Sequence, residues 1–326
     1  MKILGIGNAL VDIMTLLESD DFLKQFNLQK GSMQLVDQDF SGDVLAGATD
    51  IKKELSSGGS AANTIHGLAH LGMNTGYIGK IGSDDFGEFF RKDMERVGIK
   101  PLLLEGIADT GRAIALVTPD SERTFATFLG AAIELNASDL IPEHFIGYDC
   151  MHVEGYLVQN RELITTAMKM AKEHGLLVSI DLASYNVVEQ NVEFLTSLIT
   201  QYVDIVFANE EEAKAFTGLE PLKALDSIAE MCDIAVVKLG KDGSAIKRGE
   251  EEHRVTAIRA ESIDTTGAGD LYASGFLYGL MKGLPLMKCG DIGSVLSGKV
   301  IEVVGAKMTA SQWDEALSIV EMIEKV

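Results

Sequence analysis

Asp264-Thr265-Thr266-Gly267-Ala268-Gly269-Asp270, running straight into LYASGFLYGLMKGL, is the stretch whose reading decides this 326-residue chain. Leu271, Phe276, Leu277, Leu280 and Met281 recur at helical spacing, so the glycines fall at a helix N-terminus. There the first N–H groups lack internal partners and the helix dipole is positive. Glycine lets an anion approach those groups closely. An Asp beside such a hole could take a proton from an alcohol while the hole stabilises charge on a transferring phosphoryl group. The plain structural reading makes Thr266 an N-cap and Asp270 a first-turn acid that complements the dipole. The stretch alone leaves both open.

Outward from it, short apolar runs bounded by Gly or Asp predict strands at 3–7, 75–81, 150–155, 176–181, 204–209 and 234–240. Helical patterns lie between them: Ser60–Leu71, Asp84–Val97, Arg161–His174, Val192–Gln201, Glu210–Phe216 and Leu222–Met231. From about Leu271 to Val326 the chain reads mainly as helices. This alternation predicts an α/β fold, a central, mostly parallel sheet flanked by helices in three layers. Two segments break the rhythm, 13–51 and 99–131; the second turns at Pro119-Asp120-Ser121 like a hairpin. We expect them to form a small β lid over the sheet's carboxyl edge. Residues 1–12, 52–98 and 132–326 then form the α/β core domain.

Three further motifs could carry chemistry. Gly58-Gly59-Ser60-Ala61-Ala62-Asn63 opens a helix; the glycines permit close backbone approach, and Asn63 offers a polyol both a donor and an acceptor. Asn209-Glu210-Glu211-Glu212 ends a strand and could hold water around Mg²⁺, though Asn209 with Glu212 also reads as a capping box. Asn8 and Asp12 follow the first strand, where Asp12 could grip vicinal hydroxyls or be an ordinary turn residue.

Other matches fail. The P-loop spacing at 293–299 is followed by Val300 in place of Ser/Thr, and Gly5-Ile6-Gly7 has Leu10 at the third glycine position of the dinucleotide fingerprint. His66 and His70 share a helix face without a third ligand. Cys150, Cys232 and Cys289 form no C-x-x-C, which favours free thiols in a reducing compartment. Lys+Arg 28 against Asp+Glu 49, a net charge of −21, argues against nucleic-acid and anionic-membrane partners. A small phosphorylated ligand would need backbone N–H groups, a metal and a few placed cations. With no apolar run of about 18 residues and no signal-like start, we expect a cytoplasmic protein.

Taken together and in order, these motifs resemble the ribokinase-like (PfkB) carbohydrate and nucleoside kinases: Asn8/Asp12, GGSAAN at 58–63, the hairpin at 112–131, NEEE at 209–212, KLGKDG at 238–243 and DTTGAGD at 264–270. Within that family, GNALVDI (7–13), DDFLKQFNLQKGSMQLVD (20–37) and ERTFATFLGAA (122–132) look most like adenosine kinases. The resemblance implies ATP-dependent, Mg²⁺-assisted phosphorylation of a primary hydroxyl. The acceptor would be the 5′-hydroxyl of a nucleoside, or alternatively a free sugar as in ribokinases and fructokinases. It implies Asp270 as the base, with Gly267, Ala268 and Gly269 forming the anion hole and Arg123 approaching the phosphoryl group. It further implies Asn8, Asp12, Gly58, Gly59 and Asn63 as acceptor-binding residues. Asn209, Lys238, Gly240, Gly243, Thr265, Gly267 and Gly269 would bind the nucleotide, and Asn209 and Glu212 would hold the metal through water. Phe128 and Phe22 are candidates to stack on a purine. Helices within such a lid would disfavour lid-to-lid dimers and favour a monomer, with a homodimer the alternative. A ligand-sensing relative without catalysis and a NAD-linked oxidoreductase are the competing classes; the intact Asp270 and its glycines weigh against the first.

Overall fold

Runs such as Ile3-Leu4-Gly5-Ile6 are apolar on both alternating faces, and such a strand is stable only where both faces are covered. The computed structural model, which describes residues 1–49, 51, 53–120 and 122–325, shows that arrangement. In chain order the strands are β1 (Lys2–Ile6), β2 (Leu10–Leu16), β3 (Met33–Leu35), β4 (Lys53–Gly58), β5 (Asn74–Ile81), β6 (Ile99–Glu105), β7 (Gly111–Val117), β8 (Arg123–Phe128), β9 (Cys150–Glu154), β10 (Leu177–Asp181), β11 (Ile205–Asn209), β12 (Ile234–Lys238), β13 (Ser244–Arg248) and β14 (Glu251–Val255). The helices are α1 (Asp21–Gln25), α2 (Gln38–Gly47), α3 (Ser60–His70), α4 (Asp85–Arg96), α5 (Arg161–Glu173), α6 (Tyr185–Tyr202), α7 (Glu210–Thr217), α8 (Pro221–Ala229), α9 (Ala268–Met281), α10 (Leu286–Val300) and α11 (Ala310–Lys325).

A nine-stranded sheet runs β14-β13-β12-β11-β10-β9-β1-β5-β6, parallel except for the antiparallel β13 and β14 at one edge. Ile3 enters a core with α3, α9, α10 and α11, while its neighbour Leu4 enters another with α5, α6, α7 and α8. These are the three layers the sequence predicts. The chain leaves β1 toward β5 and β6, then resumes at β9 on β1's other side, so the strand order reverses between β1 and β9. In open α/β sheets ligands bind beyond the carboxyl ends of the strands at such a reversal.

A second sheet, β3-β8-β7-β2-β4, stands over that edge. Its composition differs from the expected lid segments. Ile99–Glu105 pairs in parallel with β5 as the edge strand of the main sheet, because its mixed apolar run packs on α4 rather than turning back as a hairpin. Conversely, Asp12 lies within β2, and Lys53–Gly58 pairs with β2, so both belong to the small sheet. The hairpin is β7–β8; Ser121 of its expected turn lies outside the described residues.

Candidate active site

Asn8, Glu154, Asp181, Asn209 and Lys238 stand at or just past the carboxyl ends of β1, β9, β10, β11 and β12, which are neighbours in the sheet. The parallel topology thus lines them along one edge. Facing them is the N-terminus of α9. Gly267 caps it at φ +76°, a left-handed conformation that strains other residues, and a Cβ there would lie 2.6 Å from the Ala306 methyl. Behind it, Asp264 accepts hydrogen bonds from the N–H groups of Thr266 (2.9 Å) and Gly305 (2.5 Å).

Asp270 sits in the first turn of α9. One carboxylate oxygen accepts from the Ser60 hydroxyl (2.8 Å) and the other from the Asn63 amide (3.0 Å), so the two glycine-opened helices meet on this carboxylate. Burial pushes its pKa up to about 6, and the two donors restrain the rise. A carboxylate in that range is ionised at neutral pH yet basic enough to accept a proton. Ala268 turns its N–H back to the Thr265 carbonyl at 3.2 Å, whereas those of Gly267 and Gly269 have no main-chain acceptor among the described residues.

Cations flank this loop. Lys238 pairs with Asp181 at 2.6 Å, and its ammonium would lie 2.9 Å from a Cβ on residue 269, so glycine there leaves room for the charge. Burial works against that charge, but Asp181 and Glu212 outweigh it and hold the ammonium above its usual pKa. From the lid, Arg123 forms an ion pair with Asp264 and donates to the Thr266 hydroxyl at 2.6 Å.

Asn209 and Glu212 form the capping box of α7: Glu212 accepts from the Asn209 N–H (2.8 Å) and amide (2.7 Å), and the Asn209 oxygen accepts from the Glu212 N–H (2.8 Å). Burial, reinforced by Asp181, raises Glu212 to about 7. Gly240 and Gly243 flank the short turn after β12, and at Gly243, φ +91°, a side chain would strike the Val255 carbonyl. Among the described residues no group of three His, Cys, Asp or Glu side chains forms a metal cage; His66 and His70 share a face of α3, and His70 stacks on Trp313.

At the other end of the cleft, Asp12 projects from β2 against Gly58, where any Cβ would strike its carboxylate. Gly59, at φ +100°, lies where a Cβ would meet the Asn8 carbonyl. Burial pushes Asp12 up to about 6, and the charge of Asp270 adds to the rise. Asp12 lies against Gly58 and Ser60 bonds Asp270, so the loop 58–60 brings both carboxylates to one cleft. Sequence reasoning missed Glu154. It accepts from the Asn8 amide (2.5 Å) and the Ala61 N–H (3.3 Å), and burial carries it to about 7. It also missed Asp181 and Lys307, single polar residues without a motif, and gave no role to Ser60 and Asp264, which lie inside the two glycine motifs.

The lid's two faces differ. Asp12 and Met14 of β2, Ala113 and Ala115 of β7, Arg123, Phe125 and Thr127 of β8, and Met33 and Leu35 of β3 share one face by register. The Arg123–Asp264 pair turns that face toward the cleft. Phe128 pairs with Arg112 on the opposite face, beneath its guanidinium (5.1 Å), and Phe22 packs with Phe26, which in turn meets Phe40 of α2. Strand alternation therefore turns Phe128 away from the Asp12 face, while Phe22, on α1, packs against Phe26. Phe125 is the β8 aromatic that shares the Asp12 face.

A buried carboxylate beside open N–H groups and two cations, at the switch point of a parallel sheet, defines a phosphotransferase acting on an alcohol. The sequence pattern of the PfkB family carbohydrate kinases matches residues 37–313, and the chain belongs to that family. Adenosine kinase from Sinorhizobium meliloti shares 35% identity with it at a TM-score of 0.86, covering 98% of this chain and 99% of that one. A probable sugar kinase from Rhizobium etli CFN 42 gives 34% identity and the same TM-score, covering 98% of each. An uncharacterised sugar kinase from Archaeoglobus fulgidus is 29% identical over 74% of this chain and 96% of its own length.

Proposed function

We propose that the protein transfers the γ-phosphoryl group of ATP to the 5′-hydroxyl of a nucleoside, with adenosine the leading candidate. The observation that carries this reading is the cleft itself: Asp12 and Asp270 share it, and Met33, Leu35 and Phe125 share the lid face that meets it. Acceptor-only carboxylate oxygens at Asp12 suit ribose hydroxyls, with Asn8, Gly58, Gly59 and Asn63 around them. An apolar lid face suits a flat base better than it suits water. The similarity to the Sinorhizobium adenosine kinase points the same way.

In this reading Asp270 takes the proton of the acceptor hydroxyl as its oxygen forms a bond to the γ-phosphorus, and the bond to the β-phosphate oxygen breaks to leave ADP. The N–H groups of Gly267 and Gly269, with Arg123 and Lys238, neutralise charge on the migrating group; Ala268 would join them if its N–H left the Thr265 carbonyl. Thr265, Asn209, Gly240 and Gly243 border the nucleotide. Asp181 and Glu212 outnumber Lys238, a surplus of negative charge that suits a hydrated dication. When bound, Mg²⁺ supplies positive charge to the phosphates, and Asn209 and Glu212 would hold it through water. A monomer fits helix α2, which packs on the lid hairpin at β8.

Turnover assayed with adenosine, inosine, ribose and fructose tests the reading: purine nucleosides should be consumed far faster than free sugars. Turnover confined to the sugars would establish the second reading, a sugar kinase, which the similarity to the Rhizobium and Archaeoglobus proteins favours.

A further inference from the structure

Lys307 belongs to none of the motifs above. Its ammonium is buried and has no hydrogen-bond partner among the described residues. The backbone fixes its position: Gly305 donates to Asp264, Ala306 packs against Gly267, and a Cβ on Gly305 would touch the tip of Met14 at 3.6 Å. Met14 and Asp12 point to the same face of β2. The segment 305–307 is therefore wedged between the glycine loop of the base and the lid strand of the acceptor site.

We propose that Lys307 is a positioning residue for the acceptor: its ammonium holds the Asp12 carboxylate charged and in place to accept the acceptor's hydroxyls. The inference rests on the reading of Asp12 as an acceptor-binding residue. The charged and titratable groups around Lys307 are Asp12 of β2, Asp93 and Arg96 of α4, Asp270 of α9, and His66 and His70 of α3. Asp93 already accepts from Ser57 and from Arg96, so its charge is largely met. Asp270 is held by Ser60 and Asn63. Both imidazoles are driven toward the neutral form, by burial first and by Lys307 next. Asp12 is left with burial and Asp270 pushing it to protonate and with Lys307 opposing them. Burial lowers Lys307 itself to about 8, so at neutral pH it stays mostly charged. A protonated Asp12 would donate one hydrogen bond and lose acceptor sites, the wrong complement for a pair of hydroxyls.

The test compares K307M and K307R with the wild type across pH, measuring kcat and the KM of acceptor and ATP separately. K307M should raise the acceptor KM at pH 7 by about twofold if the Asp12 pKa rises one unit and by about tenfold if it rises two, because the ionised fraction falls to about one-half and one-tenth, while the ATP KM stays unchanged. Its acid limb in kcat/KM should move to higher pH, the gap to wild type should close near pH 9, and K307R should restore neutral-pH behaviour. A carboxyl ¹³C titration of Asp12 should show the same upward shift without any acceptor. If the Asp12 titration is unmoved, or if both KM values change alike, the proposal is wrong. If the titration shifts but no tested nucleoside or sugar is turned over, the proposal stands for the charge on Asp12 and the functional reading fails.

Discussion

In the proposed reaction Asp270 is the base, and its setting makes activity and stability pull apart. Its folded pKa, about 6, lies above the ordinary carboxylate value because burial favours the neutral acid. That contribution to stability is present at low pH and fades as pH rises through 6, where the buried group must ionise. Asp270→Asn should therefore lower kcat by about 10²–10⁴-fold and, at pH 7.5, melt no lower than the wild type. The Asn63 oxygen, without a partner among the described residues, can turn to meet the new amide. Unchanged turnover would disprove the assignment of the base. Asp12 and Asp270 titrate in the same range, so kcat/KM for the acceptor should fall below pH 6 more steeply than one proton allows. A single-proton limb would separate the two groups. Asp270, Asn63 and Asp12 were legible because each sits in a short motif with a stated chemical use. Glu154 and Lys307 were not: each is a lone polar residue whose partners, such as Asn8 at 146 positions' remove from Glu154, are set only by the topology. Asp264 stood in the motif, but its bond to Gly305 and its pairing with Arg123 also come from the topology.

At the scale of the element, helix α7 serves structure and the proposed metal site with the same residues. Asn209→Ala removes the N-cap and should cost about 1 kcal/mol in denaturant unfolding. Glu212→Gln keeps an N3 acceptor for the cap but deletes a buried charge whose pKa is raised to about 7. It should leave stability at pH 8 nearly intact while raising the Mg²⁺ concentration for half-maximal activity about tenfold or more. If the Mg²⁺ dependence does not move, Glu212 is a cap and nothing else. Strand parity carries the other lesson at this scale. Phe125 and Phe128 differ by an odd number of positions, so only one of them can share a face with Asp12. The composition of β8 marks it as a strand, but which face meets the cleft depends on its register with β7 and, through β7, with β2. The same limit explains β6. Its run of apolar residues suits a hairpin arm or a buried parallel strand equally well, and only its contact with β5 distinguishes them.

For the whole molecule, the question is how so acidic a chain, −21 overall, admits ATP and keeps water from it. Two cations stand beside α9's N-terminus and each is pinned: Lys238 by Asp181, and Arg123 by Asp264. Arg123 is the one that crosses from lid to core, so its ion pair links the position of the small sheet to the assembly of the phosphate site. We expect the lid to move as a unit, and acceptor binding to close it and exclude water before transfer. Hydrogen exchange should then slow at β2, β4, β7 and β8 on adding acceptor, with little change at β10–β12, while ATP alone has a smaller effect on the lid. Arg123→Gln should weaken that protection, lower kcat, and raise the share of ATP lost to hydrolysis relative to product formed. Protection identical with and without acceptor would mean that the lid is a fixed wall, and that the Arg123–Asp264 pair orders the glycine loop without reporting on the acceptor.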